Sequence, residues 1–386
     1  IDAALRVLSR ACSAANAMPA AISVAGAAGT RCFRDSRGPC SPAVAYDDAR
    51  FGAGLDRVIA WRQMLTSETR VVPITDAVLE ALGAEPGWTD WTNALKLGWD
   101  PRAQAWPAAA RSAVDAGFLP RAAPPGARAG LCAIDAAPGA VLARGATDSC
   151  AMHIASAGLA AGAWSVSLGT TVTWKTTLDG AGPPALDMLP RGAYAHRLAP
   201  DVWLAAAAGN SGGGVLEADA DLAGLDRIAR LPSGFAAYPL ARIGERYPVA
   251  DASFGGFGMP HPSDPRHHAA ALEGVAFVLR LGIQLLVAAG TAAPAVLHVT
   301  GGGARSGTWM RALAAGVRLP VVPLPDAGPA LGAALLAAAA LDQAPLSHTV
   351  TPPAQTQPEV QSADAALADS LEERYQTFTQ VLQIVT

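Results

Sequence analysis

The stretch WSVSLGTTVTWK (164–175) reads as strand, turn and strand. Its first half is an apolar strand over 163–168. Gly169, Thr170 and Thr171 then turn the chain straight into a second strand over 172–176. Working outward, 193–198 and 202–206 read as another strand pair, which breaks at NSGGG (210–214). A long helix is expected over 268–289 and a buried strand over 295–299, which runs at once into GGG (301–303). A helix over 307–315, a strand over 321–323 and an Ala/Leu-rich helix over 329–340 follow. Strands joined first to strands and then to helices make a mixed α/β architecture rather than a purely doubly wound one.

Upstream, GATD (145–148) precedes a helix over 149–159. Residues 21–25 form a short strand ending in GAAG (26–29). Two more strands, 31–35 and 42–46, lead to Asp47 and Asp48. Residues 2–16 have helical spacing. Residues 53–118, which hold Trp61, Trp88, Trp91, Trp99 and Trp106, read as mainly helical. Residues 119–130 form a Pro/Gly-rich connector, 345–361 a polar Pro-rich loop and 364–384 a terminal helix. The expected division is 1–143, 144–345 and 346–386.

At 386 residues the chain is long enough for more than one domain, and with 51% apolar residues it can bury sizeable cores. A net charge of -4 gives no basic face for nucleic acid. The five cysteines (Cys12, Cys32, Cys40, Cys132 and Cys150) lack zinc-site spacing and read as reduced thiols. No signal-peptide pattern opens the chain, and its longest apolar run, 331–341, is too short for a bilayer. A cytoplasmic protein without membrane contact is expected.

Small residues sit at five strand ends: 26–29, 145–148, 169–171, 209–214 and 301–303. Glycine lets backbone N–H groups approach an anion, and ligands of α/β folds bind at the carboxyl ends of strands. There is no G-x-x-x-x-G-K-[ST] loop. Ser306 breaks a G-x-G-x-x-G reading from Gly301, and no H-E-x-x-H occurs. His261, His267 and His268 read as a solvated loop rather than a metal site. GNSGG (209–213) also matches the G-x-S-x-G of hydrolases, with Ser211 as nucleophile and His298 or His348 as downstream partner.

Taken together, GATDS (145–149), WSVSLGTTVTWK, AGNSGGG (208–214), YPLARIGERYPVAD (238–251), VTGGGARSGTW (299–309) and DAGPALGAALLA (326–337) resemble the FGGY family of carbohydrate kinases. ISVAGAAGT (22–30), YDDAR (46–50) and TDWTNALKLGWD (89–100) fit the same family. The last of these, with GERYPVAD, resembles most its D-ribulose kinases. The resemblance implies two actin-like (ribonuclease H-like) domains flanking a catalytic cleft, with mixed sheets and helices on both faces. It implies ATP and Mg²⁺ as cofactors and a small ketose, such as D-ribulose, phosphorylated on its terminal hydroxyl.

By the same resemblance Asp148 is the general base for the sugar hydroxyl. A carboxylate at a helix start interacts favourably with the dipole and can accept a proton as a phosphoryl group arrives. Gly169, Thr170 and Thr171 would cradle phosphates. Gly212 and Gly213 would lie near the nucleotide, and Gly301, Gly302 and Gly303 would let its nucleoside approach, with Arg305 and Ser306 nearby. Gly26, Ala28, Asp47 and Asp48 would face the sugar, although Asp47 and Asp48 read equally well as a solvated turn. Two departures stand out. The family's opening D-x-G-T hairpin, which helps hold Mg²⁺, has no counterpart before Ile22; either the chain continues beyond the residues given or the kinase is degraded to a sugar- or nucleotide-binding protein. Ala25 and Ala28 stand where the ribulose kinases carry polar groups, which loosens the expected choice of sugar.

Overall fold

The computed structural model describes residues 1–36, 38–39, 43–45, 56, 60, 62, 69–115, 117–180, 184–216, 224, 227–346 and 360–385. Through residue 159 the chain forms α1 (Asp2–Ala15), β1 (Ala21–Ile22), β2 (Ala25–Gly26), β3 (Arg31–Asp35), β4 (Gly38–Pro39), β5 (Arg70–Pro73), α2 (Ile74–Leu82), β6 (Trp88–Asp90), α3 (Trp91–Lys96), α4 (Ala108–Ala113), β7 (Arg121–Ala123), β8 (Arg128–Leu131), β9 (Val141–Ala143), β10 (Ala146–Thr147) and α5 (Asp148–Ala157). Beyond it come β11 (Trp164–Leu168), β12 (Val172–Leu178), β13 (Ala193–Ala199), β14 (Val202–Gly209), α6 (His267–Ala288), β15 (Leu297–Thr300), α7 (Gly307–Val317), β16 (Val321–Pro323), α8 (Pro329–Asp342) and α9 (Ala365–Val385).

Two compact units result. Unit 1 holds Ile1–Leu159, His196–Trp203 and Pro329–Pro352; unit 2 holds Ala160–Ala195, Leu204–Gly328 and Pro353–Thr386. Compactness thus groups 144–159 with unit 1, whereas the sequence reading starts its second domain at 144.

In unit 1, β1 pairs in parallel with β9 (Ala21 with Val141, Ile22 with Leu142), and β2 pairs in parallel with β10 (Ala25 with Ala146, Gly26 with Thr147). Between the two pairs one side advances from 22 to 25 and the other from 142 to 146, so the second side carries one extra residue. Gly145 absorbs it: a Cβ there would run into the Val24 carbonyl. Leu79 and Leu82 of α2 and Leu142 of β9 anchor the core, and Leu5 and Leu8, one turn apart on α1, pack against it. On α8, Gly332 lies against the Ala151 backbone, and Ala340 packs on Val141 and Ala143.

The region 53–118 is not mainly helical where it is described. Val71 and Val72, each 2% exposed, are β-branched and pair β5 antiparallel to β3. Trp88–Asp90 pairs in parallel with β7 inside the expected connector, so 119–130 is strand as well as turn. Local β-propensity and pairing partners far away in sequence act together here. Trp61 and the expected strand end at 46–48 lie outside the described residues.

The largest sheet among the described residues has six strands in the order β13-β14-β12-β11-β15-β16. β11 runs antiparallel to β12 and parallel to β15, which in turn runs parallel to β16. The helix α6 is long and apolar enough to cross a membrane, but 72% of its most apolar window is buried inside the protein. Gly316 of α7 sits against Ala276 of α6, and Gly282 of α6 lets the Trp174 ring and Tyr247 approach closely. Tyr375 and Phe378 of α9 complete an aromatic cluster with Phe277, Tyr238 and Phe257.

One carboxyl of α6 is buried completely. Glu273 accepts the Ser233 N–H at 2.8 Å and the Ser233 hydroxyl at 2.5 Å. Burial pushes its pKa up from 4.5 to about 7. Between those two pH values the folded state holds a proton that the unfolded state releases, so folding stability contributed here falls as pH rises through the window. Thermal unfolding of the wild type against Glu273→Gln should show the wild type losing ground as pH rises from about 4.5 to about 7, then levelling. A difference independent of pH would refute the assignment.

Candidate functional site

The helix α5 starts at Asp148, one residue earlier than the sequence suggests, with Thr147 as its N-cap. Asp148 is half-buried, and one of its carboxylate oxygens accepts the Ser149 N–H at 2.7 Å. The pairing of Gly26 with Thr147 sets where this carboxylate lies. Both chains of the parallel pair β2–β10 end together, one running into Ala27, Ala28 and Gly29 and the other into Asp148. Gly26 and Ala28 are half-buried, and Gly29 turns the loop with φ 82°. A Cβ on Gly26 would lie 2.9 Å from the Thr75 methyl, so the strand end is covered by the start of α2. The remaining expected sugar contacts, Asp47 and Asp48, lie outside the described residues.

Beneath Asp148 lies a polar network that sequence reasoning missed. Asp90 caps α3, accepting the N–H groups of Thr92 and Asn93 at 2.8 and 3.0 Å. It also accepts the Thr92 hydroxyl at 2.5 Å and the Asn93 amide at 2.6 Å. The Thr92 oxygen in turn accepts the Thr147 N–H at 2.8 Å. Asp76 accepts the Thr89 hydroxyl at 2.5 Å and faces Arg144 at 3.4 Å. Asp76, Asp90, Thr89, Thr92, Asn93 and Arg144 are each at most 2% exposed. Burial, with Asp90 close by, raises Asp76 to about 8, and burial raises Asp90 as well. The spacing of Asp90 and Asn93 was the available signal, since aspartate three residues ahead of an amide side chain is a capping pattern.

In unit 2 three glycine-bearing turns converge. The last β11–β15 pair is Ser167 with Thr300, so Gly169–Thr171 and Gly301–Gly303 emerge at the same end of parallel strands. Gly301 has φ 87°, and a Cβ there would meet the Leu168 carbonyl. A Cβ on Gly303 would lie 2.8 Å from the Trp309 ring. Gly302 differs: nothing lies within 4 Å of the Cβ it lacks. The third turn docks by its backbone, with the Gly213 N–H donating to the Gly169 carbonyl at 2.8 Å and the Gly214 N–H to Thr170 at 2.9 Å. A Cβ on Gly212 would lie 2.8 Å from the Thr170 carbonyl. The Thr170 side chain stays exposed and Thr171 half-exposed.

Glu245, also missed, ties down this third turn. It is 3% exposed and accepts the N–H groups of Asn210 (2.5 Å), Ser211 (3.3 Å) and Arg246 (2.8 Å) and the Tyr238 hydroxyl (3.0 Å). Arg246 adds bonds to the Asn210 side chain and the Gly209 carbonyl. Ser211 is fully buried, so its hydroxyl has no access to a substrate, and the His298 ring bonds the Trp164 carbonyl instead. The hydrolase reading therefore has no nucleophile to use; its other partner, His348, lies outside the described residues. Ser306 is 4% exposed and caps α7 by accepting the Trp309 N–H at 3.0 Å, while Arg305 forms an exposed ion pair with Asp326 at 2.7 Å. Among the described residues no three His, Cys, Asp or Glu side chains converge to hold a metal.

Residues 166–341 match the C-terminal domain of the FGGY family of carbohydrate kinases. This stretch is an FGGY C-terminal domain. It contains every turn described above in unit 2. A xylulose kinase of Bacillus subtilis is 39% identical over 100 residues, which is 25% of this chain and 20% of that protein. A xylulose kinase of Escherichia coli is 39% identical over 127 residues, 29% of this chain and 26% of that protein. The chain thus aligns with about a quarter or less of these relatives' lengths. The fold extends much further. A xylulose kinase from Brucella ovis superposes with a TM-score of 0.84 at 22% identity, covering 99% of this chain and 88% of that one. A glycerol kinase with ADP from Plasmodium falciparum gives 0.76 at 13% identity, covering 97% and 87%. The chain shares the α/β fold of these kinases, as the sequence motifs imply.

Proposed function

We propose that the chain is an ATP-dependent pentulose kinase. The observation that carries the reading is the register of Gly26 with Thr147, which brings the 26–29 loop and the Asp148 carboxylate to one strand end. Unit 1 then presents the terminal hydroxyl of the sugar to a carboxylate that takes its proton as the phosphoryl group arrives. Unit 2 supplies exposed Thr170, half-exposed Thr171 and the open face of Gly302 for the nucleotide. Phosphoryl transfer is largely a matter of positioning and charge, which suits fixed turns such as these. A magnesium ion bound to the nucleotide would offset phosphate charge.

Thr89, Asp90, Thr92 and Asn93 of TDWTNALKLGWD belong to the buried network, and Glu245 of GERYPVAD clamps the third turn. The 26–29 loop offers only backbone and two methyl groups. Apolar contacts discriminate between related ligands by only about 10–200-fold per group. Steady-state assays should therefore give both D-xylulose and D-ribulose a kcat/KM at least about tenfold above glycerol, with the two pentuloses within about 200-fold of each other. A highest kcat/KM for glycerol or an aldohexose would overturn the pentulose assignment.

A further inference from the structure

We propose that Thr92, held by Asp90, is a positioning residue for the reaction: its side-chain oxygen fixes the junction from which Asp148 projects. The inference rests on the kinase reading above. Thr147 is the residue at which β10 becomes α5, and its N–H ends on the Thr92 oxygen at 2.8 Å. The Thr92 hydroxyl hydrogen is spent on Asp90 at 2.5 Å, so its lone pairs point back to the junction. Asp90 cannot turn away, because Thr92 N–H, Asn93 N–H and the Asn93 amide occupy both its oxygens. The Asn93 amide also reaches the Thr75 hydroxyl at 3.2 Å, and the Thr75 methyl covers Gly26. One buried set of side chains therefore touches both strands of the parallel pair that ends in Asp148 and the 26–29 loop. Charge-assisted hydrogen bonds to a buried carboxylate are short and directional, so they transmit position rather than merely filling space.

The test crosses two substitutions. Thr92→Val keeps the shape and removes the hydroxyl. It should lower kcat between about 10- and 100-fold, the scale of an ångström-sized misplacement, with the KM values for sugar and ATP within about twofold. Thr92→Ser keeps the hydroxyl and should recover most of that loss. In an Asp148→Asn background, adding Thr92→Val should cost less than about twofold, because residues acting as a unit are not additive. If Thr92→Val does not fold, Asp90→Asn, which keeps the shape and weakens the acceptor, takes its place with the same expected pattern. Equal losses in both backgrounds, or no recovery in Thr92→Ser, would overturn the positioning role and leave the kinase reading intact. Normal turnover in Asp148→Asn alone would instead remove the base assignment, and the proposal with it.

Discussion

Asp148→Asn should leave unit 1 folded and lower kcat by at least about 100-fold, the contribution of a general base. The substitution is close to isosteric. Its side-chain oxygen can still accept the Ser149 N–H that Asp148 accepts at 2.7 Å, so the start of α5 keeps its local bond. What disappears is a group able to take a proton. Asp148 is half-buried, and among the described residues it forms no ion pair, so the substitution breaks none. Turnover and thermal unfolding measured on one preparation separate the two effects. An unfolding midpoint close to wild type with near-normal turnover would remove Asp148 from the chemistry.

Gly302→Val should weaken binding of a non-hydrolysable ATP analogue by at least about tenfold, or about 1.4 kcal/mol, with sugar affinity unchanged. The three neighbouring glycines are not equivalent. At Gly301 a side chain is blocked by φ 87° and by the Leu168 carbonyl, and at Gly303 by Trp309. Those positions are glycine for the fold. At Gly302 nothing among the described residues lies within 4 Å of the Cβ position, and the residue is exposed, so a side chain there would point into open space where a ligand can approach. Gly301→Ala should accordingly destabilise the protein, whereas Gly302→Val should melt like wild type. Calorimetry showing unchanged nucleotide affinity in Gly302→Val would take this turn out of the nucleotide site.

What the sequence reveals is what is encoded locally. The β11 strand, its Gly169–Thr171 turn and the glycines after β15 are each specified within a few residues. So is the place of Asp148 at the head of a helix. Regions whose structure depends on distant partners are not legible. Val71 and Val72 become a strand because β3 lies beside them, and nothing between 53 and 118 announces that pairing. The Thr147 N–H finds its acceptor 55 residues away, and the Asn210 N–H finds Glu245 at a separation of 35. Glu245 stands in plain view within GERYPVAD, but its role depends on a turn built elsewhere. The G-x-S-x-G match fails for the same reason: the pattern is local, while the burial of Ser211 is not.

The proposed reaction moves a phosphoryl group from ATP to a sugar hydroxyl. Phosphorus NMR of the protein with ATP, Mg²⁺ and D-xylulose or D-ribulose reads that transfer directly. A phosphomonoester resonance should grow in step with ADP and be absent without protein or without sugar. ATP left intact in the presence of both pentuloses, or ADP accumulating with inorganic phosphate alone, would contradict it.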